Sequence, residues 1–164
     1  MSRRLRENFQ VLADEEILDR IATLGRESKW IDIVTYGITP RGADIARMLR
    51  IDRALIGSIG TSQMAQHMSS ARALASSSKT EVRLLEGCHS KLVIFHLGPK
   101  RLAAIIGSHN LGGGAPHELA VEVRGLATIQ AKNYFERLWL RAQPINAVDL
   151  RKAKAHLSSA SFEV

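Results

Sequence analysis

Two short runs in this 164-residue chain carry side chains able to do chemistry, Cys88-His89-Ser90-Lys91 and Gly107-Ser108-His109-Asn110. The first leads into the apolar run Leu92-Val93-Ile94-Phe95 and the second follows Leu102-Ala103-Ala104-Ile105-Ile106. A charged histidine or lysine beside a buried strand is costly without a partner, so both runs ask for one. Lysine supplies a fixed positive charge, and serine and asparagine supply neutral donors. Together, Lys91, Ser108 and Asn110 have the chemistry to hold a phosphate or another oxyanion. A histidine beside them, His89, suits a nucleophile or a general acid/base. Such a histidine needs a carboxylate or carbonyl to orient it. Glu118, at the start of the next apolar run Leu119-Ala120-Val121, is the candidate.

These residues meet only if the strands bring them together. Residues i and i+2 of a strand share a face, which pairs His89 with Lys91 and Ser108 with Asn110. With Leu97-Gly98-Pro99-Lys100 as a four-residue turn, His96 pairs with Arg101. Counting back along the antiparallel ladder then sets His89 opposite Ser108 and Lys91 opposite Ile106, on one face. A slip of one residue would undo this arrangement.

The elements around this hairpin follow from periodicity and turn chemistry. Asp14-Glu15-Glu16 reads as an N-cap and acidic first turn, with Ile17, Leu18, Ile21 and Leu24 as the apolar stripe and Gly25 as the stop. Residues 30–35 read as a strand, 40–49 as a helix with Pro40 near its start, 54–59 as a strand, 61–76 as a helix and 81–85 as a strand. The hairpin strands are 91–95 and 102–106, and a third strand covers 118–123 after the Gly112-Gly113-Gly114 loop. Ala131, Tyr134, Phe135, Leu138 and Ala142 recur at helical spacing up to Pro144, and residues 150–157 read as a last basic helix. Strands alternating with helices, then consecutive strands, predict a mixed α/β sheet. There is no repeat and no linker, so residues 1–164 are expected to form a single domain.

The composition is 45% hydrophobic with 23 Lys and Arg against 16 Asp and Glu, a net charge of +7. This balance favours an anionic partner, nucleic acid ahead of an anionic membrane surface. One cysteine, Cys88, excludes an intramolecular disulfide and fits a reducing compartment. The start "MSRRLRENFQ" has arginines without an apolar stretch behind them, unlike a signal peptide, and no segment reaches the length of a membrane span. A soluble, cytoplasmic protein that does not enter a membrane is expected.

The motifs "HSKLVIF", "GSHNL" and "HELAVEV" in this order resemble the phospholipase D superfamily signature, His-x-Lys followed by Gly-Ser-x-Asn and a Glu. "EVRLLEG" resembles the strand that leads into it, so the resemblance spans about residues 81–123. It implies a phospholipase D-like mixed β-sheet flanked by helices on both faces. It also implies a metal-independent phosphodiesterase without a cofactor. In that scheme His89 attacks phosphorus and forms a phosphohistidine, Lys91 and Asn110 bind the phosphate oxygens with Ser108 assisting, and Glu118 orients His89. The family needs two such motifs, because a second histidine protonates the leaving group. A single-motif chain implies a homodimer with a shared site. Basic charge and small size make nucleic acid the expected substrate, DNA ahead of RNA, hence a nuclease. The alternatives are a non-catalytic nucleic-acid-binding module on the same fold and a phospholipid or other phosphodiester hydrolase. Seven residues after His89, where the family often has Asp, this chain has His96, which strand parity turns away from His89.

Other patterns compete. Cys88, His89, His96, His109 and His117 are zinc-type residues, but no tight Cys-x-x-Cys or His-x-x-x-His pair joins them, and no metal site is expected. His67 and His156 are expected at the surface. Residues 40–56 faintly resemble a helix-turn-helix carrying Arg41, Arg47, Arg50 and Arg53. A strand follows at once, which favours an amphipathic helix packed on the sheet. Its arginines remain candidates for contacts to a nucleic-acid backbone.

Overall fold

The structure is a computed structural model that describes residues 9–57, 64–77, 79–112 and 117–145. The expected helix at 150–157 and His156 lie outside the described residues, as do Gly113 and Gly114. One eight-stranded mixed sheet runs through the molecule. Its strands are β1 (Phe9–Ala13), β2 (Trp30–Thr35), β3 (Arg53–Ile56), β4 (Glu81–Leu84), β5 (Leu92–Gly98), β6 (Arg101–Gly107), β7 (Leu119–Arg124) and β8 (Gln143–Pro144), in spatial order β1-β7-β6-β5-β2-β3-β4-β8. β2, β3 and β4 are parallel neighbours and the remaining pairs are antiparallel.

The parallel strands need crossovers, which α2 (Pro40–Leu49) and α3 (Met64–Ser77) supply. Together with α1 (Glu15–Glu27) they cover one face of the sheet. There Ile17, Ile21 and Leu24 of α1, Ala43 and Ala46 of α2, and Met68, Ala71 and Leu74 of α3 meet Ile31, Ile33, Phe95 and Ile105. The other face carries α4 (Leu126–Arg141), whose Ala131, Phe135, Leu138 and Trp139 bury Leu55, Leu92, Ile94 and Ala104. The sheet is therefore sandwiched, as the resemblance implies. Strand parity is also visible: Leu92 and Ile94 point to α4, Phe95 to the other layer.

Several expectations are corrected. The edge strand β1 has no counterpart in the sequence reading; it is held by a full antiparallel ladder with β7, Phe9 opposite Val123 through Ala13 opposite Leu119. Helix α1 passes Gly25 and ends at Glu27. Asp14 does not cap α1 with its side chain; its Oδ1 accepts from the Glu118 backbone N–H at 2.9 Å instead. His67 is not at the surface but buried, its Nδ1 2.8 Å from the Ile38 carbonyl oxygen, with its ring against Gly37. Residues 40–56 form helix α2 and then strand β3, so there is no helix-turn-helix. Thr39 caps α2 by accepting from the Gly42 N–H, and Pro40 occupies its first turn.

Candidate active site

The hairpin β5–β6 places the two motifs at one end of the sheet, but in a different register from the one expected. Leu97 is bulged out between the pairs His96–Leu102 and Gly98–Arg101, leaving Pro99-Lys100 as the turn. The net shift is one residue, so Leu92 faces Ile106 and the Gly107 N–H bonds to the Lys91 carbonyl at 3.3 Å. Continuing the count, His89 is level with His109 rather than Ser108. The physical reason is the tighter turn together with the bulge: a two-residue turn moves the ladder by two from the expected register, and the unpaired Leu97 takes one back.

The motif residues converge through a third segment that the sequence reading did not single out, the turn after β2. The Tyr36 ring stacks on the His89 ring, centroids 4.0 Å apart. Lys91 Nζ lies 5.5 Å from the Tyr36 centroid and donates to the His89 carbonyl at 2.8 Å. Among the described residues no carboxylate pairs with Lys91. The Tyr36 backbone N–H and the Thr35 hydroxyl both donate to Asn110 Oδ1 at 3.2 Å. With its oxygen so engaged, Asn110 retains its amide N–H groups as donors. The Leu111 N–H donates to Thr35 Oγ1, and Thr39 Oγ1 donates to the Gly112 carbonyl. Residues 35–39 are thus stitched to 110–112, which brings His89 and Lys91 to the ring of Tyr36 and Asn110 to its backbone.

Ser108 and Glu118 form a separate pair. The Ser108 hydroxyl donates to the Glu118 carboxylate and accepts from the Leu119 N–H at 3.1 Å. Asp14 grips Glu118 through two bonds, since the Asp14 N–H also donates to the Glu118 carbonyl at 3.0 Å. Among the described residues the side-chain partner of Glu118 is therefore Ser108, where His89 was expected, and the Ser108 hydroxyl expected at a phosphate already has two partners. Between these residues His109 is turned inward. Both its ring nitrogens are buried without a hydrogen-bond partner among the described residues. Burial pushes its pKa below the ordinary 6.5, with Glu118 opposing weakly. His109 lines a small cavity with Thr35, Lys91 and Gly107.

His96 lies on the α4 side of the sheet. It is buried, with Nε2 2.8 Å from Asp32 Oδ2, and Trp30 stacks on it at 4.2 Å. Arg53 bonds Asp32 with Nε at 2.7 Å and Nη2 at 2.8 Å, and reaches Glu136 on α4. Burial of Asp32 would raise its pKa, but the bonds from His96 and Arg53 outweigh it and hold the carboxyl below the usual range. Of the four arginines proposed for nucleic acid, Arg53 is thereby committed to the interior and Arg47 pairs with Asp44. Arg41 and Arg50 are exposed on α2 and its C-cap. Among the described residues no group of His, Cys, Asp and Glu could hold a metal ion, and no helix is long and apolar enough to cross a membrane.

No protein-family model and no curated protein sequence matches the chain. Solved structures do. NucT from Helicobacter pylori superposes with a TM-score of 0.61 at 15% identity, over 83% of this chain and 98% of that one. TrmBL2, an archaeal chromatin protein described as showing a novel mode of DNA binding, gives 0.59 at 15% identity over 86% of this chain. Polyphosphate kinase from Porphyromonas gingivalis gives 0.58 at 9% identity over 81% of this chain. The match spans 55% of the TrmBL2 chain and 26% of the kinase chain. NucT and the kinase both belong to the phospholipase D superfamily. The fold of this chain is the phospholipase D fold, a mixed sheet flanked by helices on both faces.

Proposed function

We propose that this protein is a metal-independent phosphodiesterase that hydrolyses nucleic acid, DNA ahead of RNA, through a phosphohistidine on His89. The observation that carries the proposal is the convergence of His89, Lys91 and Asn110 on Tyr36, at one end of a sheet of the phospholipase D fold. An uncompensated ammonium and a carboxamide with free N–H groups suit the non-bridging oxygens of a phosphodiester. An imidazole nitrogen of His89 attacks phosphorus, the N–P bond forms, and the P–O bond to the leaving sugar oxygen breaks. That oxygen takes a proton from His89 of a second copy of the chain. Water then attacks phosphorus, the N–P bond breaks, and a phosphate monoester leaves. The Ser108–Glu118 pair, anchored by Asp14, supports the wall beside the site. The nucleic-acid substrate is supported by the +7 charge and by likeness in fold to a nuclease, NucT.

A second reading, a nucleic-acid-binding module without catalysis, is supported by the likeness to TrmBL2. A phospholipid or other phosphodiester hydrolase is a third outcome of the same experiment. Purified protein and its His89→Ala variant are incubated with single- and double-stranded DNA, RNA, phosphatidylcholine vesicles and a chromogenic phosphodiester in excess EDTA. Cleavage of nucleic acid by the parent alone supports the proposal. Binding without cleavage supports the module, and hydrolysis confined to lipid supports the third reading. Loss of activity in EDTA overturns the metal-independent mechanism. Sedimentation at assay concentration tests the shared site, and an active monomer overturns it.

A further inference from the structure

The phosphate site is built on one side of residue 90 and a different surface on the other. Ser90, between His89 and Lys91, has its hydroxyl 2.6 Å from the hydroxyl of Tyr134 on α4. Tyr134 as a residue is 37% exposed although its hydroxyl is anchored, so its position is held while part of it remains open to solvent. One helical turn further along, the Arg137 guanidinium lies 5.8 Å from the Tyr134 ring centroid. Arg137 is exposed and has no carboxylate partner among the described residues. The arrangement differs from the arginines of β3 and of α2 that pair with acids: here a cation and an aromatic ring stand together, with no carboxylate on the cation among the described residues, one hydrogen bond from the His-x-Lys run.

We infer that Tyr134 and Arg137 form a subsite for an unpaired nucleotide flanking the scissile phosphodiester, with the base stacked on Tyr134 and the adjacent phosphate on Arg137. The inference rests on the nucleic-acid reading of the site. An aromatic face accepts any base, because every base has a π-face, whereas a base inside a duplex is already stacked on its neighbours. Arginine adds charge at the backbone and tolerates the ring beside it. The Ser90–Tyr134 bond ties the subsite to the two motif residues on either side of Ser90. The nucleic-acid contact is thereby assigned to α4 rather than to the arginines of α2.

The test is fluorescence anisotropy with a labelled single-stranded oligonucleotide, in EDTA, for the full chain and for Tyr134→Ala, Tyr134→Phe and Arg137→Gln, each checked for an unchanged melting curve. Tyr134→Ala is expected to weaken binding by about tenfold or more, the range found for losing one base stack. Tyr134→Phe retains the ring and loses only the hydroxyl, and is expected to bind within about twofold of the parent, an effect smaller than that of losing one stack. Arg137→Gln is expected to lower the slope of log affinity against log salt by about 0.7, one single-strand phosphate contact. Binding unchanged in Tyr134→Ala, equal losses in Tyr134→Ala and Tyr134→Phe, or no single-strand binding by the parent overturns the inference. Tyr134-dependent binding without any cleavage would leave the subsite standing and defeat the catalytic proposal; cleavage with Tyr134-independent binding would do the reverse.

Discussion

The ring of Tyr36 lies parallel to that of His89 to within 18°, with centroids 4.0 Å apart, while the Tyr36 backbone N–H holds Asn110. One residue at the end of β2 thus fixes the orientation of the proposed nucleophile and the position of a proposed phosphate ligand. The side chain governs only the first of these, and the backbone the second.

Tyr36→Ala is accordingly expected to lower kcat on a phosphodiester by about ten- to a hundredfold with a smaller change in KM, because a misoriented nucleophile loses near-attack geometry. Tyr36→Phe keeps the stack and should stay close to the parent. Steady-state kinetics on the two variants checks this; equal losses in both would show that the hydroxyl, not the stack, matters.

The Asp32–His96–Arg53 cluster makes a prediction about stability. Asp32 is fully buried and neutralises Arg53 while bonding His96. Asp32→Ala takes from Arg53 its buried partner but leaves Glu136 bonded to it, so the loss is expected to stay below the range of about 3–5 kcal/mol for breaking a fully buried pair. His96→Asp, which restores the residue type common in the family, should also destabilise the fold, because it sets two carboxylates face to face. Urea unfolding of both variants measures the losses; an unchanged midpoint for His96→Asp would contradict the pairing.

His109 introduces a pH dependence. Its folded-state pKa is lowered by burial, so the unfolded chain takes up its proton first, near pH 6.5. The corresponding stability is complete above about 6.5 and is lost as pH falls through the folded value. The Glu118 carboxylate opposes this shift but does not overcome the burial. Asp32 and Glu122, also lowered, lose stability only below their ordinary values of 3.8 and 4.5. His109→Leu should therefore flatten the melting temperature between about pH 7 and 5 relative to the parent. Calorimetry across that range decides it; identical slopes would refute the role of burial.

Gly57, just after β3, packs on the backbone from which His89 departs. A Cβ there would sit 1.8 Å from the Cys88 carbonyl oxygen. Gly57→Ala must push the Cys88–Lys91 run away from the sheet. The expected result is a loss of about 1–3 kcal/mol, as for overpacked cores, together with reduced turnover. Denaturation and kinetics on the same preparation test both effects.

The sequence alone determined the order of the elements and which residues are candidates for chemistry. Alternating and 3.6-residue periodicities marked β2 to β7 and α1 to α4 because side-chain spacing is a local property of the backbone. The spacing of His89, Lys91, Ser108, Asn110 and Glu118 marked a candidate phosphate site because the residue types limit the chemistry. What the chain could not show locally was which partners each element finds. The two-residue turn and the bulge at Leu97 depend on how two strands meet, and together they set His109 rather than Ser108 opposite His89. β1 is a strand only because β7 offers it an edge. Arg53 reads as a surface cation until Asp32 and Glu136, 21 residues upstream and 83 residues downstream, close on it. Tyr36 carried no signal that singled it out, and Tyr134 read only as one residue of a helical spacing. Only tertiary packing, which sets contacts between residues distant in sequence, placed one under His89 and the other beside Ser90.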